Sequence, residues 1–183
     1  MSSMLIQAVL LIVQVLVAFL SYLLLARFFM QAARVQFNNS IGYFVLQLTN
    51  WLVIPLRKVI PAFRGFDLAS LLPVFLLQLL QVILIFAVHG YLMQNNASSL
   101  LLPILWESGK AFLRTGFYFL ILLLIAQAII SWVNPYSPVY PVCNALTAPI
   151  LRPIQRIIPM VGRIDLSPLI AIVLIQVILI FLQ

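Results

Sequence analysis

Four apolar runs decide what this 183-residue chain can fold into. They are Leu5 to Phe29, Leu68 to Met93, Ala111 to Val133 and Leu166 to Leu182, and each holds at most one Lys, Arg, Asp or Glu. A helix needs about 20 apolar residues to cross the hydrocarbon core of a bilayer. The fourth run meets that requirement only in a thinned bilayer or with an upright helix. Hydrophobic residues make up 65% of the chain and charged residues 7%. A soluble domain has about 45–50% and about 25%, so so much apolar surface has no place in water. The expectation is an all-α integral membrane protein with four transmembrane helices. Met1-Ser2-Ser3-Met4 brings no positive charge, and the run behind it exceeds the about 7–15 residues of a signal-peptide core. It is read as a retained span.

The connections between the runs repeat. Pro55-Leu56-Arg57-Lys58-Val59-Ile60-Pro61 returns as Pro153-Ile154-Gln155-Arg156-Ile157-Ile158-Pro159, each position 98 residues on. Asp67-Leu68 returns as Asp165-Leu166, Thr49 as Thr147 and Gln78 as Gln176 at the same offset. A repeat at fixed spacing defines the architecture. It divides the chain into a first repeat, 1–93, an external connection, 94–110, and a second repeat, 111–183. Each repeat reads as helix, interfacial segment, helix: spans 5–29 and 68–93 around 41–60, then spans 111–133 and 166–182 around 139–158. The tract Leu100 to Trp106 is apolar but too short to span, so it is placed in the interface.

The net charge is +7. Arg27, Arg34, Arg57, Lys58, Arg64, Arg152, Arg156 and Arg163 fall on one side of the spans, Lys110 and Arg114 on the other. The positive-inside rule puts the larger group in the cytoplasm and both termini outside. The two repeats then run parallel.

Each basic turn presents apolar residues on one face and bases on another, which suits the headgroup layer. Arg57, Lys58, Arg64, Arg152, Arg156 and Arg163 are the candidate contacts for anionic lipid or a membrane-protein partner. Asp67 and Asp165 immediately precede apolar runs and are the candidate helix caps. Gln78, Gln81 and Gln176 are candidates for helix-to-helix bonds or for a polar path through an oligomer. The chain has one Cys and one His, no nucleophile elbow, no metal-ligand pair and no phosphate loop. No enzymatic activity, cofactor, metal or nucleic-acid partner is expected.

The paired motifs, each a proline-bracketed basic turn followed by Gly65 or Gly162, then Asp-Leu and a membrane helix, resemble the YggT family of small bacterial inner-membrane proteins. Gln36-Phe37-Asn38-Asn39-Ser40 adds to the resemblance, which covers nearly the whole chain. Leu151 to Pro159 fits best, and Arg64 before Gly65 departs from the usual smaller residue. The resemblance implies a multi-pass inner-membrane protein. It also implies a link to osmotic stress and ion homeostasis, with relatives near cell-division genes and plastid relatives in maturation of a membrane cytochrome. Such varied settings favour a structural, assembly or accessory subunit. A channel or an ion or osmolyte transporter is the alternative.

Overall fold

Apolar runs in lipid have no water for their backbone groups, so they fold as helices. The computed structural model describes residues 2–59, 67–89, 97–134, 136–156 and 165–182. Among them are six helices and no strand.

Helix α1, Ser2–Ala32, is apolar on every side; Leu5, Val9, Ile12, Leu16 and Phe19 face outward. Arg34 just beyond it has a φ of 54°, which lets the Val35 N–H reach back to the Met30 carbonyl at 2.9 Å, a left-handed helix stop. Asn39 then opens the next helix, accepting the Gly42 N–H on Oδ1 at 2.8 Å. Helix α2, Ser40–Val59, is amphipathic. Val45, Thr49 and Val53 are buried one turn apart, while Tyr43, Phe44, Trp51 and Ile54 are exposed. Pro55 lies inside α2. The basic turn is therefore the last turn of a longer helix and does not begin a separate one, because a proline so near the end removes a single hydrogen bond.

Helix α3, Leu68–Val88, follows. Helix α4, Ala97–Val133, has 37 residues and is about 55 Å long. It absorbs Leu100 to Trp106, expected as a separate interfacial tract. The polar residues that suggested a break are satisfied within the helix: Glu107 pairs with Lys110 at 2.9 Å and Arg114 at 3.8 Å, and the Ser108 hydroxyl donates to the Ile104 carbonyl at 2.7 Å. Helix α5, Tyr140–Gln155, matches α2 and buries Val142, Cys143, Leu146, Thr147 and Leu151. Helix α6, Ser167–Phe181, has 15 residues.

Among the described residues three helices are long and apolar enough to cross a membrane: Met4–Ala32, Leu68–Val88 and Ser99–Val133. The fourth expected span is not among them, because α6 covers only about 22 Å against a hydrocarbon core of about 30 Å.

In each repeat the long helix packs against the amphipathic helix and against the shorter apolar helix: α1 on α2 and α3, α4 on α5 and α6. Leu24, Leu25, Val53, Ala69 and Val74 form the core of the first, and Leu124, Leu151, Ala171 and Ile175 that of the second. The repeats meet chiefly where α3 packs along α4, with Phe75 against Phe112 at 6.0 Å, and also where Phe119 of α4 stacks on Phe29 of α1 at 5.7 Å and Met30 packs with Val142 and Leu146.

Candidate functional site

Each repeat gathers its polar residues at one junction, where the amphipathic helix ends beside the start of the next helix. In the first junction Arg27 of α1 is 2% exposed. Its Nη1 donates to Thr49 Oγ1 at 2.8 Å and to Asn50 Oδ1 at 2.9 Å, while its Nε finds no acceptor among the described residues. The Thr49 hydroxyl in turn donates a hydrogen bond to the Val45 carbonyl. Beside it, Arg57 grips Asp67 with Nε to Oδ1 at 3.3 Å and Nη2 to Oδ2, and also donates to Gln31 Oε1 at 2.8 Å. The Ser70 hydroxyl donates to Asp67 Oδ2 at 2.7 Å. Burial pushes the Asp67 carboxyl up, but bonds from Arg57 and Ser70 and the charges of Arg57 and Arg27 outweigh it and hold the group below its ordinary value. The carboxylate is thus ionised and cross-linked to two helices.

The second junction repeats this geometry with different chemistry. Gln155, 98 positions after Arg57, donates Nε2 to Asp165 Oδ2 at 2.8 Å. Thr147 is fully buried and donates to the Cys143 carbonyl at 2.9 Å, as Thr49 does to Val45. The position matching Arg27 is Ile125. Gln127 enters instead, giving Nε2 to Asn144 Oδ1 at 3.3 Å and leaving Oε1 without a partner among the described residues. Gln127, Ser131, Tyr140, Asn144, Gln155 and Asp165 line a cleft of about 130 Å³. Burial again pushes Asp165 up, and the bonds from Ser167 and Gln155 hold it lower.

The residues singled out in the sequence divide accordingly. Arg57 is tied to Asp67 and Gln31, whereas Lys58, Arg152 and Arg156 are exposed and make no ion pair among the described residues. Arg64 and Arg163 lie outside the described residues. Asp67 occupies the N-cap position of α3, yet its side chain makes no cap bond to the backbone; Arg57 and Ser70 take its oxygens. Asp165 stands one residue before the N-cap of α6, and its Oδ1 accepts the Ser167 N–H at 2.9 Å. Gln78 is buried and bonds Ser21 Oγ at 3.3 Å, linking α3 to α1. Gln78 and Gln81 line one cleft with Arg114, Thr115 and Tyr118. Gln176 is exposed on α6 and does not join them. No group of three or more His, Cys, Asp or Glu comes together among the described residues.

Sequence reasoning gave Arg27 only a topological role and did not single out Asn144 or Asn50. The available signal was a lone charge inside an apolar run, which is costly unless it finds partners.

The comparisons agree with the repeat. The profile of the CCB3/YggT family matches residues 6–88 and again 110–183. The Escherichia coli K12 protein titled "Uncharacterized protein YggT" is 39% identical over 157 residues, covering 85% of this chain and 78% of the relative. An uncharacterised Pseudomonas aeruginosa protein is 35% identical over 158 residues, covering 85% and 78%. A Vibrio alginolyticus protein, titled as lying in the proC 3′ region, is 32% identical over 151 residues, covering 82% and 80%. No solved structure matches the chain. With two matched segments that fall on its two helical repeats, the chain belongs to the CCB3/YggT family.

Proposed function

We propose that this protein is a non-enzymatic structural or assembly subunit of a bacterial inner-membrane complex. Its amphipathic helices face the cytoplasm and engage anionic lipid and a membrane-protein partner. In this reading both termini are periplasmic and the two repeats run parallel. Helix α6 makes a fourth crossing, its shortfall of about 8 Å taken up by local bilayer thinning. The family resemblance adds a setting in osmotic stress and ion homeostasis.

The observation that carries the reading is the split among the motif bases. Arg57 is committed to a buried carboxylate, while Lys58, Arg152 and Arg156 stand exposed on the ends of α2 and α5. Lys58 shares α2 with exposed Tyr43, Phe44, Trp51 and Ile54. Aromatic residues beside bases suit a headgroup layer or a partner at that depth. The test is charge reversal at Lys58, Arg152 and Arg156 together. Partner recovery from mild detergent should be lost while membrane insertion persists; unchanged recovery defeats the reading.

One observation favours a second reading, an oligomeric channel or an ion or osmolyte transporter. The cleft of about 290 Å³ between α3 and α4 gathers the polar side chains of Gln78, Gln81, Arg114 and Thr115 within otherwise apolar helices. Flux of potassium, protons or small anions through proteoliposomes, diminished by Gln81→Leu, would establish it; absence of flux removes it.

A further inference from the structure

In the first repeat Leu71, Phe75, Gln78 and Val82 form a stripe along α3, and α4 of the second repeat covers it. Phe75 meets Phe112 edge-on at 6.0 Å. Leu71 shares a cleft with Phe112 and Gly116, and Gln78 and Val82 share another with Thr115 and Tyr118. Gln78 and Val82 are buried there. The stripe recurs on α6, 98 positions on, as Leu169, Val173, Gln176 and Ile180. Among the described residues no helix covers this copy: Leu169 is 60% exposed, Val173 49% and Ile180 64%, and Gln176 is exposed as well. Leu169 and Val173 border an apolar groove of about 320 Å³ between α4 and α6. The covering face of α4 has its own counterpart. Gly109, Phe112 and Gly116 correspond to Leu11, Gln14 and Ala18 of α1. Leu11 and Gln14 are exposed and Ala18 is half-buried. Both halves of a second α3–α4 contact are therefore in the chain, and α1 and α6 form no packed pair within it.

We propose that α6 of one copy docks on α1 of a second copy of this chain, Leu169, Val173 and Gln176 against Leu11, Gln14 and Ala18, in the arrangement that α3 and α4 adopt within the chain. A repeat unit that cannot bury its apolar face alone buries it against the next unit. Inside the chain the second repeat does this for the first, and a further copy does it for the second. Ala18 takes the place of Gly116, and a small residue there lets two helices approach closely. Gln14 takes the place of Phe112, which sets it beside Val173 and one turn from Gln176. Polar side chains on membrane helices are costly facing lipid and are expected to face protein. Gln78 has Ser21; Gln14 and Gln176 satisfy each other across the new contact. The directions also agree. Leu71 lies by Leu120 and Ile85 by Ala111, so α3 and α4 run oppositely, as α6 and α1 do when both copies share one orientation. The contact is heterologous: each copy offers α6 to one neighbour and α1 to the other, and a ring forms where the rotation closes. This goes beyond the assembly reading, because a foreign subunit on the basic face leaves both surfaces free.

The test keeps the full chain in its membrane. One tagged copy carries Gln14→Cys, a differently tagged copy carries Val173→Cys, and both carry Cys143→Ala. Oxidation with copper phenanthroline should join the two in a disulfide dimer when they are co-expressed, and should join neither to itself. Leu102→Cys, exposed on α4 and off the proposed contact, is paired with Val173→Cys to set the background. Adding Ala18→Trp to the first copy should reduce the cross-link to that background while insertion persists. Charge reversal at Lys58, Arg152 and Arg156 should leave the cross-link intact, which separates this contact from the one proposed for the basic face. Native mass spectrometry of the unaltered chain should show more than one copy of the 20.7 kDa polypeptide. A mixed-pair yield no higher than the background overturns the proposal, as does a single copy in the mass spectrum. Gln14→Cys joining itself in place of Val173→Cys also overturns it, because the contact is then a two-fold pairing of α1 with α1.

Discussion

Replacing Arg57 with Met tests how the first junction is held. Asp67 is 1% exposed, while the Arg57 side chain is 43% exposed. The substitution therefore leaves the carboxylate in place and removes its strongest donor. Hydrogen bonds to charged groups contribute about 1.5–3 kcal/mol. Solvent around the arginine screens part of that, since fully exposed pairs give about 0–1 kcal/mol. A loss of about 2 kcal/mol follows. For a chain of this size each kcal/mol moves the melting temperature by about 2–4 °C, so the expected drop is about 4–8 °C. Tryptophan fluorescence in detergent at neutral pH reads it. Arg57→Gln should recover about half, because Gln155 bonds Asp165 at 2.8 Å in the same geometry. Adding Asp67→Asn to Arg57→Met should also recover stability, because an uncompensated buried charge is then removed. An unchanged melt for Arg57→Met, or a double variant less stable than Arg57→Met alone, would refute the reasoning.

Three further expectations come from the same geometry. The Asp67 carboxyl is held below its ordinary value, so its contribution is full above the unfolded value of about 3.9 and fades as pH falls through the lower folded value. Melting temperature should stay flat from neutral pH to about 5 and decline below about 4, less steeply in Asp67→Asn. Thr49→Val removes an acceptor of Arg27 and should cost about 1–2 kcal/mol, whereas Thr147→Val, whose hydroxyl serves only its own helix, should cost less than about 1 kcal/mol; chemical unfolding of the two variants compares them. Gly42→Ala would place a Cβ 2.5 Å from the Phe37 carbonyl oxygen and 2.7 Å from its Cα, so the α2 entry must shift, lowering stability by about 1–3 kcal/mol in the same assay.

Much of the helical plan was legible because its signals are local. The apolar runs located the long helices, and the 98-residue offset placed Ser40–Val59 over Tyr140–Gln155 within a few residues. The lengths were less legible. Glu107 and Lys110 looked like a boundary, but their pairing along the helix lets α4 run through. Helix α6 starts at Ser167 and its last regular residue is Phe181, which leaves it too short by itself. The junctions were the least legible. Arg57 and Asp67 are ten positions apart in sequence, and Arg27 meets Thr49 across 22; neither spacing follows a helical period. An exposed base and a base holding a buried carboxylate look alike in sequence, so Arg57 was grouped with Lys58 until their surroundings separated them.

Native mass spectrometry of the protein released gently from its own membrane tests the central claim most directly. The assembly reading predicts a foreign subunit in fixed stoichiometry together with anionic lipid, both lost when Lys58, Arg152 and Arg156 are reversed in charge. The chain alone, or a homo-oligomer free of any second polypeptide, would contradict it.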